Sequence, residues 1–243
     1  MNLIALDSSG LVASAAILED DNLKAEYTVN YKKTHSQTLL PMLDEISKMV
    51  ELDPASIDFV AIAAGPGSFT GLRIGSATAK GICLALDKPI VEVPTLAGLA
   101  YNLFDARGLI CPIMDARRKQ VYNGLYRFVD HKLVTVTDQR PIAVADLVEE
   151  LNQLDPGLTK DGVTFLGDGV PVYRDLLDAL LKVPHTYAPA HANKQRAASV
   201  GALAEVLFAE GKAIPADRHV PIYLRKSQAE REREAKLHAD QKS

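Results

Sequence analysis

Asn2-Leu3-Ile4-Ala5-Leu6-Asp7 opens the chain, and Leu109-Ile110-Cys111-Pro112-Ile113-Met114-Asp115 repeats its character near the middle: an apolar run that ends in aspartate. Short apolar runs bounded by turn residues read as buried strands. After the first run come two more strand-like segments, 11–18 and 24–29, set off by the turn sequences Asp7-Ser8-Ser9-Gly10 and Glu19-Asp20-Asp21-Asn22. Leu39, Leu43, Ile46 and Met49 or Val50 then recur at helical spacing, which predicts an amphipathic helix over about 34–51. Pro41 lies within it and must sit in the first turn or cause a kink. Phe59-Val60-Ala61-Ile62-Ala63 is apolar on both faces, as a central strand covered by helices should be, and it ends at Gly65-Pro66-Gly67. A helix over 70–86, a strand over 89–93 and a helix over 96–104 complete the first half.

A similar order starts again at Leu109. Strands are predicted at 109–114, 120–128, 133–136 and 163–166, with helices at 144–154 and 173–181 and a last helix at 197–210. Two halves of like order imply a structural duplication, and the period is too long for a solenoid. The expected domains are therefore an N-terminal lobe over 1–106 and a C-terminal lobe over 107–224, with the last helix able to pack on either. Residues 225–243 form a charged tail almost without apolar side chains, and their mixed signs suit a solvated segment better than a nucleic-acid arm.

Composition narrows the function classes. The chain has 243 residues, 47% of them hydrophobic, enough to bury a sizeable core. Its formal net charge of −4 gives the whole molecule no pull towards a polyanion. Cys83 and Cys111 each lie in an apolar stretch, so neither a disulfide framework nor a thiolate metal site has support in spacing. The first residues lack a signal-peptide pattern, and no stretch approaches the roughly 20 apolar residues of a membrane span, so a cytoplasmic location is expected.

Two lobes that each start with a strand ending in aspartate resemble the actin and sugar-kinase superfamily, in which the turn after that strand holds phosphate in a cleft between lobes. The corresponding turns here are Asp7-Ser8-Ser9-Gly10 and Asp115-Ala116-Arg117-Arg118. Asp7, Ser8 and Asp115 are thus weak candidates for phosphate and Mg²⁺, because backbone N–H groups, hydroxyls and carboxylates can hold both. An aspartate at a strand end can equally do no more than make a turn.

The most distinctive segment is Gly65-Pro66-Gly67-Ser68-Phe69-Thr70-Gly71-Leu72-Arg73-Ile74-Gly75. It has no Lys-Ser or Lys-Thr after its glycines, so it is not a P-loop, and it lacks the third glycine of a dinucleotide fingerprint. Gly71, Gly75 and Ala79 share one helix face, and small residues at that spacing admit a close neighbour. That neighbour can be the chain's own core or a partner's helix.

This segment, together with Leu6-Asp7-Ser8-Ser9, His35-Ser36-Gln37 before Leu40-Pro41, Ala79-Lys80-Gly81 and Asp115-Ala116-Arg117-Arg118-Lys119-Gln120-Val121-Tyr122, resembles the bacterial TsaB family, also called YeaZ. The match runs through about the first 125 residues. It continues weakly through Gly167-Asp168-Gly169 and Pro221-Ile222-Tyr223-Leu224-Arg225. The resemblance implies an α/β fold of two ribonuclease-H-like lobes, with mixed central sheets and flanking helices. It also implies a role in making threonylcarbamoyladenosine beside the anticodon of tRNAs that read A-starting codons.

In that pathway the paralogue TsaD binds metal and transfers the threonylcarbamoyl group, the ATPase TsaE joins the pair, and the TsaB-type subunit is a required scaffold without a cofactor. TsaD carries a His-x-x-x-His metal motif after its own glycine segment. Here Thr95 and Leu99 stand in those places, and leucine cannot bind a metal. His35, His131, His185, His191, His219 and His238 are scattered, with no pair at the i, i+4 spacing of a dedicated site. No catalytic residue and no metal ligand is therefore assigned.

The partner-binding residues expected from the resemblance and the small face are His35, Leu39 and Leu43 on the first helix, and Ser68, Phe69, Gly71, Leu72, Arg73, Gly75 and Ala79 at and along the second. They would dock on TsaD, or on a second copy in a homodimer when TsaD is absent. tRNA would be met only within the complex. An ATP-dependent phosphotransferase of the sugar-kinase type is the alternative, with Gly167-Asp168-Gly169 as its short glycine turn for adenosine. A metal-dependent hydrolase is a further class, which the missing His pair opposes.

Overall fold

The computed structural model describes residues 1–31 and 35–225. The charged tail expected over 225–243 lies outside them except for Arg225.

The first lobe opens with an antiparallel meander of β1 (Asn2–Asp7), β2 (Ala13–Glu19) and β3 (Asn22–Val29). It continues through α1 (His35–Met49), β4 (Phe59–Gly65), α2 (Phe69–Leu86), β5 (Ile90–Pro94) and α3 (Thr95–Ala100). β4 runs parallel to both β1 and β5. All seven residues of β4 are buried, which explains its unbroken apolar run, while β3 is largely exposed and polar, as an edge strand should be. α1 and α2 cover one face through Leu39, Leu43, Ile46, Ala79 and Cys83, which close on Leu6, Ile17 and Ile62. Pro41 lies past the first turn of α1, on its exposed side.

The second lobe repeats the plan with β6 (Leu109–Asp115), β7 (Gln120–Val129), β8 (Lys132–Ala143), α4 (Val144–Gln153), the single turn α5 (Pro156–Thr159), β9 (Val163–Leu166), α6 (Val170–Leu180) and β10 (His185–Tyr187). α7 (Ala197–Ala209) and β11 (Ala213–Ile214) follow. The sheet orders are β11-β5-β4-β1-β2-β3 and β10-β9-β6-β7-β8. Numbered within each lobe, both place the strands 5-4-1-2-3, so the duplication seen as a pattern of residues is a duplication of topology. These are two ribonuclease-H-like lobes of the actin and sugar-kinase type.

The last helix belongs with the first sheet. α7 packs on β1, β2, β4 and β5, and β11 then pairs antiparallel with β5. The last helix, which the sequence leaves free to pack on either lobe, thus lies on the first sheet. The cause is local: Glu26 on β3 accepts from the Ala198 amide at 3.0 Å and pairs with Arg196, and Ser14 Oγ on β2 accepts from the Ala197 amide at 2.8 Å. These side chains serve the unpaired N–H groups at the helix start. Gly201 then lets the helix come down on the sheet, since a Cβ there would meet Leu18 Cδ1 at 2.5 Å.

Two elements differ from expectation. β8 extends over Lys132–Ala143, far beyond 133–136, because pairing with β7 down to Gln120↔Ala143 holds polar residues that no alternation announces. β10 is a further strand that no run in the sequence predicts, and in it His185 Nε2 donates to Asp178 Oδ1 at 3.1 Å.

Candidate functional site

The turn after β1 is threaded into the glycine segment after β4. Asp7 Oδ1 accepts from the Ser9 amide at 2.8 Å and from Ser9 Oγ at 2.6 Å. Ser8 Oγ donates to the Gly71 carbonyl at 2.9 Å, and the Ser9 carbonyl accepts from the Ser68 amide at 2.7 Å. His35 Nε2 donates to the Gly10 carbonyl at 2.8 Å. Asp7 and Ser8 are 2% and 1% exposed. Burial pushes the Asp7 carboxyl up to about 6, against the lowering effect of its Ser9 hydrogen bonds. Both side chains are enclosed, with Asp7 Oδ1 and Ser8 Oγ spent on contacts within the chain.

The glycines take their meaning from this threading. A Cβ on Gly71 would stand 2.1 Å from the Ser8 carbonyl oxygen, and one on Gly75 would stand 2.4 Å from Ser8 Oγ and 3.1 Å from Ile62 Cδ1. The small face of α2 is thus filled by the chain's own first turn. Gly71, Leu72, Gly75 and Ala79 are buried in the lobe, as are Leu39 and Leu43 of α1, so none of these six is presented to a partner. Of the two neighbours open to the close-packing face, the chain's own first turn is the one that meets it here.

Of the other expected residues, His35 and Phe69 are half-buried, and Ser68 and Arg73 are exposed. Ser68 caps α2, its Oγ accepting from the Gly71 amide at 3.3 Å. The outward side of α2 carries Thr70, Arg73, Ala77, Gly81 and Leu84 at helical spacing, with Leu84 69% exposed. Leu40 and Met49 of α1 add 55% and 73% exposed apolar side chains. A Cβ on Gly81 would meet nothing within 4 Å. This outer stripe repeats every three or four residues and was legible in the sequence, but the glycine spacing drew attention to the opposite face.

The C-terminal segment runs along α2 and on to the second lobe. The Ile222 amide donates to the Ala64 carbonyl at 2.7 Å, and the Ile222 carbonyl fills the place of a Gly65 side chain, 2.3 Å from that position. Gly65 has φ +124°, so glycine is required there twice over. Tyr223 packs on Phe69 with the rings tilted by 32° and 4.5 Å between centroids, and it accepts at its hydroxyl from Arg73 Nε at 3.3 Å. The Arg73 guanidinium also lies 4.0 Å from the Phe69 ring centroid. Arg225 Nη1 donates to the Ala116 carbonyl at 2.5 Å, which places the segment against both lobes.

A buried relay fixes this segment upstream. His219 Nδ1 donates to Glu92 Oε1 at 2.5 Å, so its Nε2 accepts from the hydroxyl of Ser76. The order serine, histidine, carboxylate is that of a hydrolase triad. Ser76, however, sits in the interior of α2 at 7% exposure and His219 is 1% exposed, so the relay clamps the chain to α2.

The second turn, Asp115-Ala116-Arg117-Arg118, is equally committed. Asp115 Oδ1 accepts from the Arg117 amide at 2.9 Å and from Tyr173 Oη at 3.1 Å, while Asp168 Oδ1 accepts from the Asp115 amide at 3.1 Å. Burial raises the Asp168 carboxyl above the usual carboxylate range. Gly167-Asp168-Gly169 is a structural turn: the Gly167 amide donates to the Asn193 carbonyl at 2.9 Å and the Gly169 amide to the Ile113 carbonyl at 3.0 Å. A Cβ on Gly167 would stand 2.2 Å from the Ile113 carbonyl oxygen. In both turns the aspartate carboxylate is spent on contacts within the chain rather than turned to solvent.

At the places of the TsaD metal ligands, Thr95 is fully buried and its Oγ1 accepts from the Gly65 amide at 3.0 Å, and Leu99 is part of the inter-lobe core. Among the described residues, no group of three or more His, Cys, Asp or Glu could hold a metal ion, and no helix is long and apolar enough to cross a membrane.

Comparison with known proteins agrees with the fold. The family model for the TsaD tRNA N6-adenosine threonylcarbamoyltransferase matches residues 23–233. The Bacillus subtilis tRNA threonylcarbamoyladenosine biosynthesis protein TsaB is 34% identical over 95% of this chain and 96% of its own length. The Escherichia coli protein of the same name is 28% identical over 94% and 96%. The solved structure of YeaZ from Pseudomonas aeruginosa, 23% identical, superposes with a TM-score of 0.76 over 92% of this chain and 99% of that one. Glycine segment, repeated topology and full-length similarity together place the chain in the TsaB family of tRNA threonylcarbamoyladenosine biosynthesis proteins, within the wider group that the transferase model describes.

Proposed function

We propose that this chain is the non-catalytic partner of a TsaD-type transferase, required for threonylcarbamoyl transfer to the adenosine beside the anticodon of tRNAs that read A-starting codons. The observation that carries this reading is Thr95, buried and spent on the Gly65 amide where the transferase has a metal-binding histidine, with the apolar Leu99 at the second ligand position. The enclosed first turn adds support, since Asp7 and Ser8 are buried and bonded within the chain.

The surface offered to the transferase is the outward side of the two helices. Leu40 and Met49 of α1 and Arg73, Ala77, Gly81 and Leu84 of α2 form it, with Ser68, Phe69 and His35 at one end. The buried residues Leu39, Leu43, Gly71, Leu72, Gly75 and Ala79 hold that surface in shape from behind. A near-copy of the chain fits a self-complementary patch, so a homodimer forms when the transferase is absent. TsaE joins through the pair, tRNA is met within the assembly, and the work is done in the cytoplasm without a cofactor bound to this subunit. The lobes divide near residues 106 and 107, with the chain from Ala197 returning to the first lobe.

The test is reconstitution of TsaD and TsaE with and without this protein, reading threonylcarbamoyl incorporation into tRNA. Transfer that depends on adding the protein supports the proposal. Transfer at full rate without it, or turnover by this chain alone, overturns it.

A further inference from the structure

Arg117, Arg118 and Lys119 form the tip of the β6–β7 turn, all three exposed and all three in the left-handed region, with φ of 61°, 56° and 58°. A non-glycine residue held there costs about 1–2 kcal/mol. A turn that only reversed the chain would take glycine or asparagine, so what these positions keep at that cost is charge. The turn is fixed at its base: the Ala116 amide donates to the Gln120 carbonyl at 3.0 Å, and the Val144 amide to the Lys119 carbonyl at 3.1 Å.

The cations continue along the C-terminal segment. Arg225 is bound to the Ala116 carbonyl at the base of the same turn. Among the described residues, Arg117, Arg118, Lys119 and Arg225 form no ion pair, in a chain whose net charge is −4. The nearby carboxylates of Asp115 and Asp168 are turned to backbone amides and Tyr173. Four uncompensated cations gathered on one turn and the segment beside it are an electrostatic footprint for a nucleic-acid phosphate backbone.

We propose that this stripe, centred on Arg117-Arg118-Lys119, is a contact surface for the phosphate backbone of the tRNA substrate. It rests on the function proposed above and adds to it: the subunit grips RNA directly while its partner does the chemistry. The grip is electrostatic, through the charged side chains of the turn.

The test uses the assembled complex with TsaD and TsaE and an unmodified tRNA transcript that reads an A-starting codon, comparing the wild-type chain with an Arg117→Asn/Arg118→Asn/Lys119→Asn variant. Asparagine tolerates the left-handed conformation, so the turn is kept. The expected result is a Kd for tRNA raised at least about tenfold and a plot of log affinity against log salt that loses about 2 in slope, with co-elution of the subunits unchanged. Unchanged affinity and slope would overturn the proposal, as would loss of the partner subunits with tRNA binding intact, the sign of a protein contact. Should the variant not fold, ultraviolet crosslinking of the wild-type complex to the transcript decides: adducts on residues 116–120 support the contact, and adducts confined to the other subunits refute it. Reconstituted transfer that needs the protein, combined with either negative result, would leave its role as a subunit standing and this surface refuted.

Discussion

Ser8 Oγ lies 2.4 Å from the point where a Cβ on Gly75 would be, so the serine of the first turn occupies the room that the second helix leaves open. Gly75→Ala should therefore destabilise the monomer by about 1–3 kcal/mol through overpacking, and Gly75→Leu by more. Gly81→Leu, on the open side of the same helix, should leave stability unchanged or raise it by roughly 0.5–1 kcal/mol, since glycine is a poor interior helix residue. It should nevertheless abolish co-elution with TsaD. Urea denaturation of the isolated chain and size-exclusion chromatography of the pair separate the two effects. A Gly81→Leu protein that still pairs would refute the outward stripe as the interface.

Asp7 predicts a particular pH profile. Its folded carboxyl, near 6, lies above the ordinary value of 3.8, so between about pH 4 and 6 the folded state holds a proton that the unfolded state has released. Stability then falls as pH rises through that window. A displacement of that size, at about 1.4 kcal/mol per pH unit, is worth roughly 3 kcal/mol. Asp7→Asn keeps an oxygen for Ser9 and loses the charge, so it should stabilise the protein at pH 7 by up to that amount and make no difference below about pH 4. Denaturant midpoints across pH 4–8 test this, and a uniform effect at every pH would contradict it.

The clamp on α2 should be structural. His219→Ala leaves Ser76 and Glu92 without their shared partner and opens a void, and should cost about 2–4 kcal/mol. The intact protein should show no labelling of Ser76 by a fluorophosphonate, because its hydroxyl is buried in the helix interior. Mass spectrometry after labelling measures this, and a stoichiometric adduct at Ser76 would make the relay a working nucleophile.

Both thiols should be silent in the folded state. Burial pushes Cys83 up to about 12 and raises Cys111 as well, the latter in spite of the Asn123 amide that donates to its sulfur at 3.2 Å. Neither should react with a thiol reagent at pH 8 until denaturant is added. Rapid reaction of either one in buffer would show that its lobe opens locally.

The two-lobed order was readable because each lobe announces itself by the same sign, an apolar run closed by aspartate, and because β4 is buried on both faces and so lacks polar interruptions. Gly71 and Gly75 were legible as a close approach. What approaches was not, since spacing along a helix says nothing about which chain supplies the neighbour. The seat of α7 was undecided for a related reason: it is fixed by Glu26 and Ser14, side chains on distant strands that only the folded chain brings to the helix start. β10 and β11, with three and two residues, have too little length for any pattern, and β8 is polar because its far side is an edge.

The path of residues 219–225, fastened to β4 and α2 at one end and to Ala116 at the other, bears on mechanics. A molecule with two such halves can act as a jaw only if the halves swing apart, and here that swing would tear Ile222 and Arg225 from their seats. Residues 219–225 thus act as a strap across the two halves, and opening the cleft would first have to undo it.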